Sequence, residues 1–143
     1  MIVRTLSITI YDQSGSQWHN ELYAQPSWAA IETAIRRLDQ YRYPFVWLYR
    51  ASVIEEDTPY DFNIIGGNGI YAFDGILNNR SFRYIRPDAG NKLVDVWTSD
   101  QGFETQACYV CRDLDVVLRA THYFCDHGEP DPTLSWEWDE APL

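Results

Sequence analysis

The chain has 143 residues, 45% of them apolar, and sets 11 Lys and Arg against 21 Asp and Glu for a formal net charge of −10. A chain of this length makes one domain, residues 1–143, and folding should bury roughly 68–70% of its extended surface, which excludes disorder for the bulk of it. So acidic a balance argues against direct contact with nucleic acid or an anionic membrane, where cations must displace counterions, and in favour of a cationic protein partner.

No apolar run reaches membrane-spanning length, so no such helix is expected. Met1-Ile2-Val3-Arg4-Thr5-Leu6-Ser7 looks like the start of a strand and lacks the features of a signal peptide. The three cysteines, an odd number, argue against a fully paired disulfide framework. A cytoplasmic location is the expectation from both.

In chain order, 5–10 alternates with period two and predicts a first strand, and the polar stretch 12–20 predicts a turn or loop. Pro26-Ser27 opens a helix capped by Ser27, with Trp28, Ile31, Ile35 and Leu38 on its apolar stripe, ending before Pro44. The unbroken apolar run 45–49 predicts a strand buried on both faces. Shorter strands are predicted at 61–65, 70–74, 81–85, 93–97 and 106–111, separated by Gly, Asn, Asp and Pro. A second helix runs from an Asp113 cap to Asp126. Val116, Val117, Ala120, Tyr123 and Phe124 form its stripe, with Gly128 as its stop; a last strand covers 133–138. The order predicts an α+β fold, an antiparallel sheet of about six to eight strands with two helices packed on one face.

Cys108-x-x-Cys111 followed by His122, Cys125 and His127 is the most metal-like pattern. Residues three apart on a strand point to opposite faces, so the simpler reading is buried thiols with a surface histidine. A redox pair is disfavoured because the motif does not open a helix. Gly66-Gly67-Asn68-Gly69 lacks a following Lys-Ser/Thr and a helix, and predicts a hairpin turn in place of a phosphate cradle. No nucleophile motif is present, so binding is favoured over catalysis, with no metal and no cofactor. Two acidic stretches remain. Glu55-Glu56-Asp57 with Asp61 lies between strands, and Glu137, Trp138, Asp139 and Glu140 join acid to aromatic near the end.

Several of these features, in order, resemble an immunity-protein family of bacterial polymorphic toxin systems, commonly encoded beside toxins of the deaminase class. They are Trp28 opening the first helix, the apolar strand after Pro44, Ile64-Ile65-Gly66-Gly67-Asn68-Gly69-Ile70-Tyr71, the helix end Tyr123-Phe124, Gly128-Glu129-Pro130 and Ser135-Trp136-Glu137. The resemblance covers residues 27–137. It implies an α+β fold, no catalysis, no cofactor, and inhibition of one cognate toxin in the producer's cytoplasm. Trp28, Gly66, Gly67, Gly69, Gly128 and Trp136 are taken as structural positions of the motif. The chain departs from the pattern at Pro130-Asp131-Pro132, which lengthens the path to Trp136, and at Cys125 and His127 beside the helix end.

The expected function is occlusion of a toxin's cationic active-site groove, through Glu55, Glu56, Asp57 and Asp61 first and Glu137, Trp138, Asp139 and Glu140 second. The alternatives are a small enzyme or metal-dependent protein using the Cys108–His127 region, and an adaptor subunit with no toxin partner.

Overall fold

The computed structural model describes residues 1–141. Among them the chain forms nine strands and two α-helices: β1 (Thr5–Tyr11), β2 (Trp18–Ala24), α1 (Trp28–Arg36), β3 (Phe45–Tyr49), β4 (Phe62–Gly67), β5 (Ile70–Leu77), β6 (Arg80–Tyr84), β7 (Leu93–Trp97), β8 (Phe103–Gln106), α2 (Leu114–His127) and β9 (Trp136–Trp138). Seven strands make one sheet in the order β2-β1-β3-β4-β5-β6-β9, every neighbour antiparallel, and β7 with β8 forms a separate hairpin. The α+β architecture expected from the sequence is the one observed.

Local chemistry places these elements. Ser27 Oγ accepts from the Ala30 amide at 3.1 Å to cap α1, and Asp113 accepts from the Asp115 amide to cap α2. Gly128 ends α2 in the left-handed region, φ 70°, and donates its amide to the Phe124 carbonyl at 2.7 Å. Two-residue turns at Asn68-Gly69 and Asn78-Asn79, all four residues at positive φ, join β4 to β5 and β5 to β6. Such turns match the twist of the strands they connect and fix their register. Gly67 has no room for a side chain, since a Cβ there would lie 2.4 Å from the Asp39 amide nitrogen.

Leu6 and Ile8 of β1, Val46 and Leu48 of β3, Phe62 and Ile64 of β4, Tyr71 and Phe73 of β5, and Phe82 and Tyr84 of β6 all point to the helix side. There they meet Ile31, Ala34 and Ile35 of α1 and Val117, Ala120, Phe124 and Cys125 of α2. Phe62 stacks on Phe124 at 4.8 Å between ring centres. Trp136 and Trp138 of β9 close the aromatic end of this core against Phe82.

Five sequence expectations need correction. Residues 18–20, the end of the stretch 12–20 expected as a turn or loop, instead open edge strand β2 (Trp18–Ala24), which is exposed along nearly its whole length. The run 45–49 is fully buried on its helix side alone; Phe45, Trp47 and Tyr49 on the other side are half-buried. Residues 106–111 are not a strand: β8 ends at Gln106, and Ala107–Tyr109 is a single 3₁₀ turn before Cys111 bridges to Tyr71. On α2 the buried stripe is Val117, Leu118, Ala120, Thr121, Phe124 and Cys125, with Val116 and Tyr123 at its margin. The last strand is shorter than 133–138, because Asp131 takes Thr133 into a turn first.

Candidate functional site

Among the described residues the sheet's second face carries no α-helix, and antiparallel register sets a row of side chains across it. Ser7 pairs with Trp47, Trp47 with Asn63, Asn63 with Asp74, Asp74 with Arg83 and Arg83 with Glu137. Because residues two apart along a strand share a face, Phe45, Ile65 and Ala72 form the neighbouring row. The β7–β8 hairpin lies against this face. Val96 packs on Ile65 and Val110 in a small second core, and Gln40 Nε2 donates to the Asp95 and Val96 carbonyls to hold the hairpin.

Between hairpin and sheet is an open cleft of about 500 Å³. Its apolar wall is Phe45, Ile65, Ala72, Trp97 and Phe103; its polar groups include Asn63, Asp74, Arg83, Tyr109, Glu137 and Asp139. Phe45 meets Trp97 edge-on at 4.9 Å and Trp47 at 5.1 Å.

At the floor, Asp74 accepts one hydrogen bond from the Asn63 amide nitrogen at 3.2 Å and a very short one from the Tyr60 hydroxyl. Burial pushes the Asp74 carboxyl above the usual carboxylate range, and the hydrogen bonds from Tyr60 and Asn63 and the charge of Arg83 only partly offset it. Burial, followed by the Asp74 charge, pushes the Tyr60 phenol up as well. Asn63 is 7% exposed, and its side-chain oxygen has no hydrogen-bond partner. A buried acceptor left unpaired costs about 1–3 kcal/mol, so it marks a place where the fold keeps polarity at its own expense.

At the rim, Arg83 directs Nε and Nη2 to Glu137 Oε1 at 3.1 and 2.7 Å, and its guanidinium lies 3.5 Å from the Tyr109 ring centre. The Tyr109 hydroxyl donates to Glu137 Oε2 at 2.9 Å. The Arg83 hydrogen bonds chiefly, with Tyr109, hold the Glu137 carboxyl below its ordinary value, so it stays charged.

The residues expected at the interface fall into two places. Glu55, Glu56 and Asp57 are exposed on the β3–β4 loop. Asp61, at the end of that loop, turns inward to accept from the Arg50 amide at 2.7 Å. Glu137 and Asp139 line the cleft itself, with Asp139 accepting from the Ser81 hydroxyl. Trp138 faces the other way, against Phe82 and under Arg80, and Glu140 is exposed. Tyr60 joins the two places, since the same β3–β4 loop brings it to Asp74. Sequence reasoning missed Asn63, Asp74 and Arg83. Their signal was a polar residue in the middle of strands otherwise apolar, Phe62-Asn63-Ile64 and Phe73-Asp74-Gly75.

The Cys108–His127 group does not assemble. Cys108 sits on the 3₁₀ turn, Cys111 donates to the Asp113 carbonyl, and Cys125 is buried on α2 with its thiol pushed up to about 12 by that burial. His122 stacks on Trp28 at 4.1 Å, and His127 packs on Tyr123. Among the described residues no three His, Cys, Asp or Glu side chains gather where a metal ion could be held. Nor, among them, is any helix long and apolar enough to cross a membrane.

Comparison of the chain with family models, curated proteins and solved structures finds no match. The functional reading therefore rests on the geometry and on the sequence motifs.

Proposed function

We propose that this chain is an immunity protein: a non-catalytic inhibitor that binds one secreted bacterial toxin and occludes its active site. A toxin acting on nucleic acid, of the deaminase class, is the favoured partner, and the cytoplasm of the producing cell is the place of action. The observation that carries the reading is the cleft on the helix-free face, where Asp74, Glu137 and Asp139 lie beside exposed and half-buried aromatic rings. Acid around aromatic anchors suits a partner that is itself cationic, as a groove for nucleic acid must be. The exposed Glu55, Glu56 and Asp57 and the net charge of −10 would steer such a partner towards the chain before contact. Fixed rings and a hydrogen-bonded rim then supply burial without much ordering cost.

The test is co-expression with the product of any toxin gene found beside its own. The expected result is restored growth of the host and a stable one-to-one complex on gel filtration. A host that still dies, with the two proteins eluting apart, would overturn the reading.

A further inference from the structure

Strand β2 is a free edge of the seven-stranded sheet. The Gln17 carbonyl accepts from the Asp12 amide and the Gln25 amide donates to the Arg4 carbonyl, so odd-numbered residues of this stretch turn their backbone groups towards β1. Trp18, Asn20, Leu22 and Ala24 turn theirs outward, and among the described residues no hydrogen bond reaches them. Folded proteins commonly blunt such an edge with Lys, Pro, a bulge or a very short strand. At the opposite edge β9 is only three residues long. By contrast β2 runs for seven, Trp18-His19-Asn20-Glu21-Leu22-Tyr23-Ala24, in unbroken register with β1 and without Lys or Pro. Its side chains are as open as its backbone. Trp18 is 56% exposed, Leu22 54% and Tyr23 44%, and among the described residues no other element exposes more than one large apolar side chain.

A row of open amides and carbonyls fits another strand, and the sequence of β2 fits β2 itself. In an antiparallel pair of copies with Asn20 on the two-fold axis, every outward group meets an outward group: Trp18 pairs with the partner's Leu22, and Asn20 with the partner's Asn20. On the helix-free face an indole then meets a leucine side chain on each side of the axis. On the helix side His19 falls opposite the partner's Glu21, the placement in which opposite-charge or hydrogen-bonding pairs stabilise a sheet. Glu21 Oε1 takes the Tyr23 hydroxyl at 3.0 Å, which leaves Oε2 for the imidazole. Other registers lose this complementarity. Centring the pair on Glu21 sets two carboxylates face to face, and centring it on Leu22 carries Trp18 beyond Ala24, where the strand ends. The acidity of the chain lies away from the joint, since Glu21 is the one carboxylate on β2.

We propose that the chain self-associates through β2 into a two-fold dimer whose sheet runs on from one copy into the other. The axis stands perpendicular to the sheet, so both helix-free faces lie on one side, and no residue of β2 lines the cleft. The inference is independent of the toxin reading and adds to it only that toxin is bound two to a dimer.

Sedimentation equilibrium of the whole chain from about 1 to 300 μM tests the proposal, with a Kd expected on the order of 10 μM for a contact smaller than that of a stable complex. Leu22→Lys, at an exposed position, should raise the Kd at least about tenfold with an unchanged urea midpoint. His19→Glu should also weaken the dimer, by facing the partner's Glu21, and adding Glu21→Lys to it should restore association. Amide exchange at about 500 μM gives the pattern directly. Wild-type amides of Trp18, Asn20 and Leu22 should exchange several-fold more slowly than those of the Leu22→Lys chain at the same positions. Those of His19, Glu21 and Tyr23, already bonded to β1, should exchange alike in both. Because each copy carries −10, raising salt from about 0.1 to 0.5 M should leave the dimer intact or tighten it. A chain still monomeric at the highest concentration would overturn the proposal. So would a dimer that survives Leu22→Lys, one that salt dissolves, protection confined to other strands, or a double variant no better associated than His19→Glu.

Discussion

The two faces of the seven-stranded sheet are built from the same strands and obey opposite rules. On the helix side, Phe62, Phe73, Phe82 and Phe124 are 2% exposed or less, and apolar packing against α1 and α2 is continuous. On the other side, register lines up Trp47, Asn63, Asp74, Arg83 and Glu137, and the fold tolerates an unpaired acceptor and a carboxyl pushed up by burial. One face optimises stability. The other retains polarity that stability alone would remove, which is how binding surfaces are recognised physically.

If that division is right, substitutions on the two faces should separate stability from binding. The largest effect is expected on the helix side. Phe62→Ala deletes a ring that is 0% exposed and stacked on Phe124, and should cost about 3–5 kcal/mol in urea unfolding. A loss under about 1 kcal/mol would mean the helices do not close over the sheet as described.

Next comes the polar turn after α2. Asp131, 3% exposed, is raised by burial, but the hydrogen bonds from the Thr133 hydroxyl and amide and the charge of Arg119 outweigh that and hold it below its ordinary value. Its contribution is present above the unfolded value of about 3.9 and disappears as pH falls through the lower folded value. Asp131→Asn should therefore cost about 1–2 kcal/mol at neutral pH and flatten the acid limb of the stability profile. An unchanged acid limb would contradict the ion-paired, hydrogen-bonded geometry.

Trp28 belongs to the margin of the core. The sequence put it on the apolar stripe of α1; it is half-buried there and stacked on His122 between the helices. Trp28→Ala should cost about 1–2 kcal/mol, less than a core ring, and a thermal melt decides between the two.

The smallest stability effect is expected on the helix-free face, with its sign reversed. Because burial raises Asp74, the folded state binds its proton more tightly than the unfolded chain does. Stability should fall as pH rises from about 3.9 through the folded value, and Asp74→Asn should remove that fall. Wild-type and Asp74→Asn melts that run parallel across this range would show that Asp74 is as well solvated folded as unfolded.

Much of the helix side could be read from the sequence because apolar periodicity is a local signal. Ile31 and Ile35 declared α1, and the Asp113 and Gly128 caps bounded α2. Residues 18–24 carried no such signal, since an edge strand with both faces in solvent has no reason to alternate. The reverse error at 106–111 came from Ala107, Cys108, Tyr109 and Val110, an apolar run that serves a turn. The acidic rim was half legible: Glu137 and Asp139 stood out as charges. That Asn63 meets Asp74, and Arg83 meets Glu137, depends on register across three hairpin partners and a distant ninth strand. The hairpin that makes the wall of the cleft is held there by Gln40, more than fifty residues away in the chain, a contact with no sequence pattern.

The central claim is that the acidic, helix-free side of the chain captures a cationic toxin by charge and then by aromatic burial. Stopped-flow association with a toxin domain of the proposed class, read across salt concentrations, tests it most directly. The rate should fall steeply as the screening length shrinks from about 10 Å at 0.1 M to about 3 Å at 1 M. Reversing Glu55, Glu56 and Asp57 to lysine should slow association further while changing dissociation less, and Phe103→Ala should speed dissociation and leave association nearly alone. An association rate indifferent to salt and to the charge reversal would contradict the account.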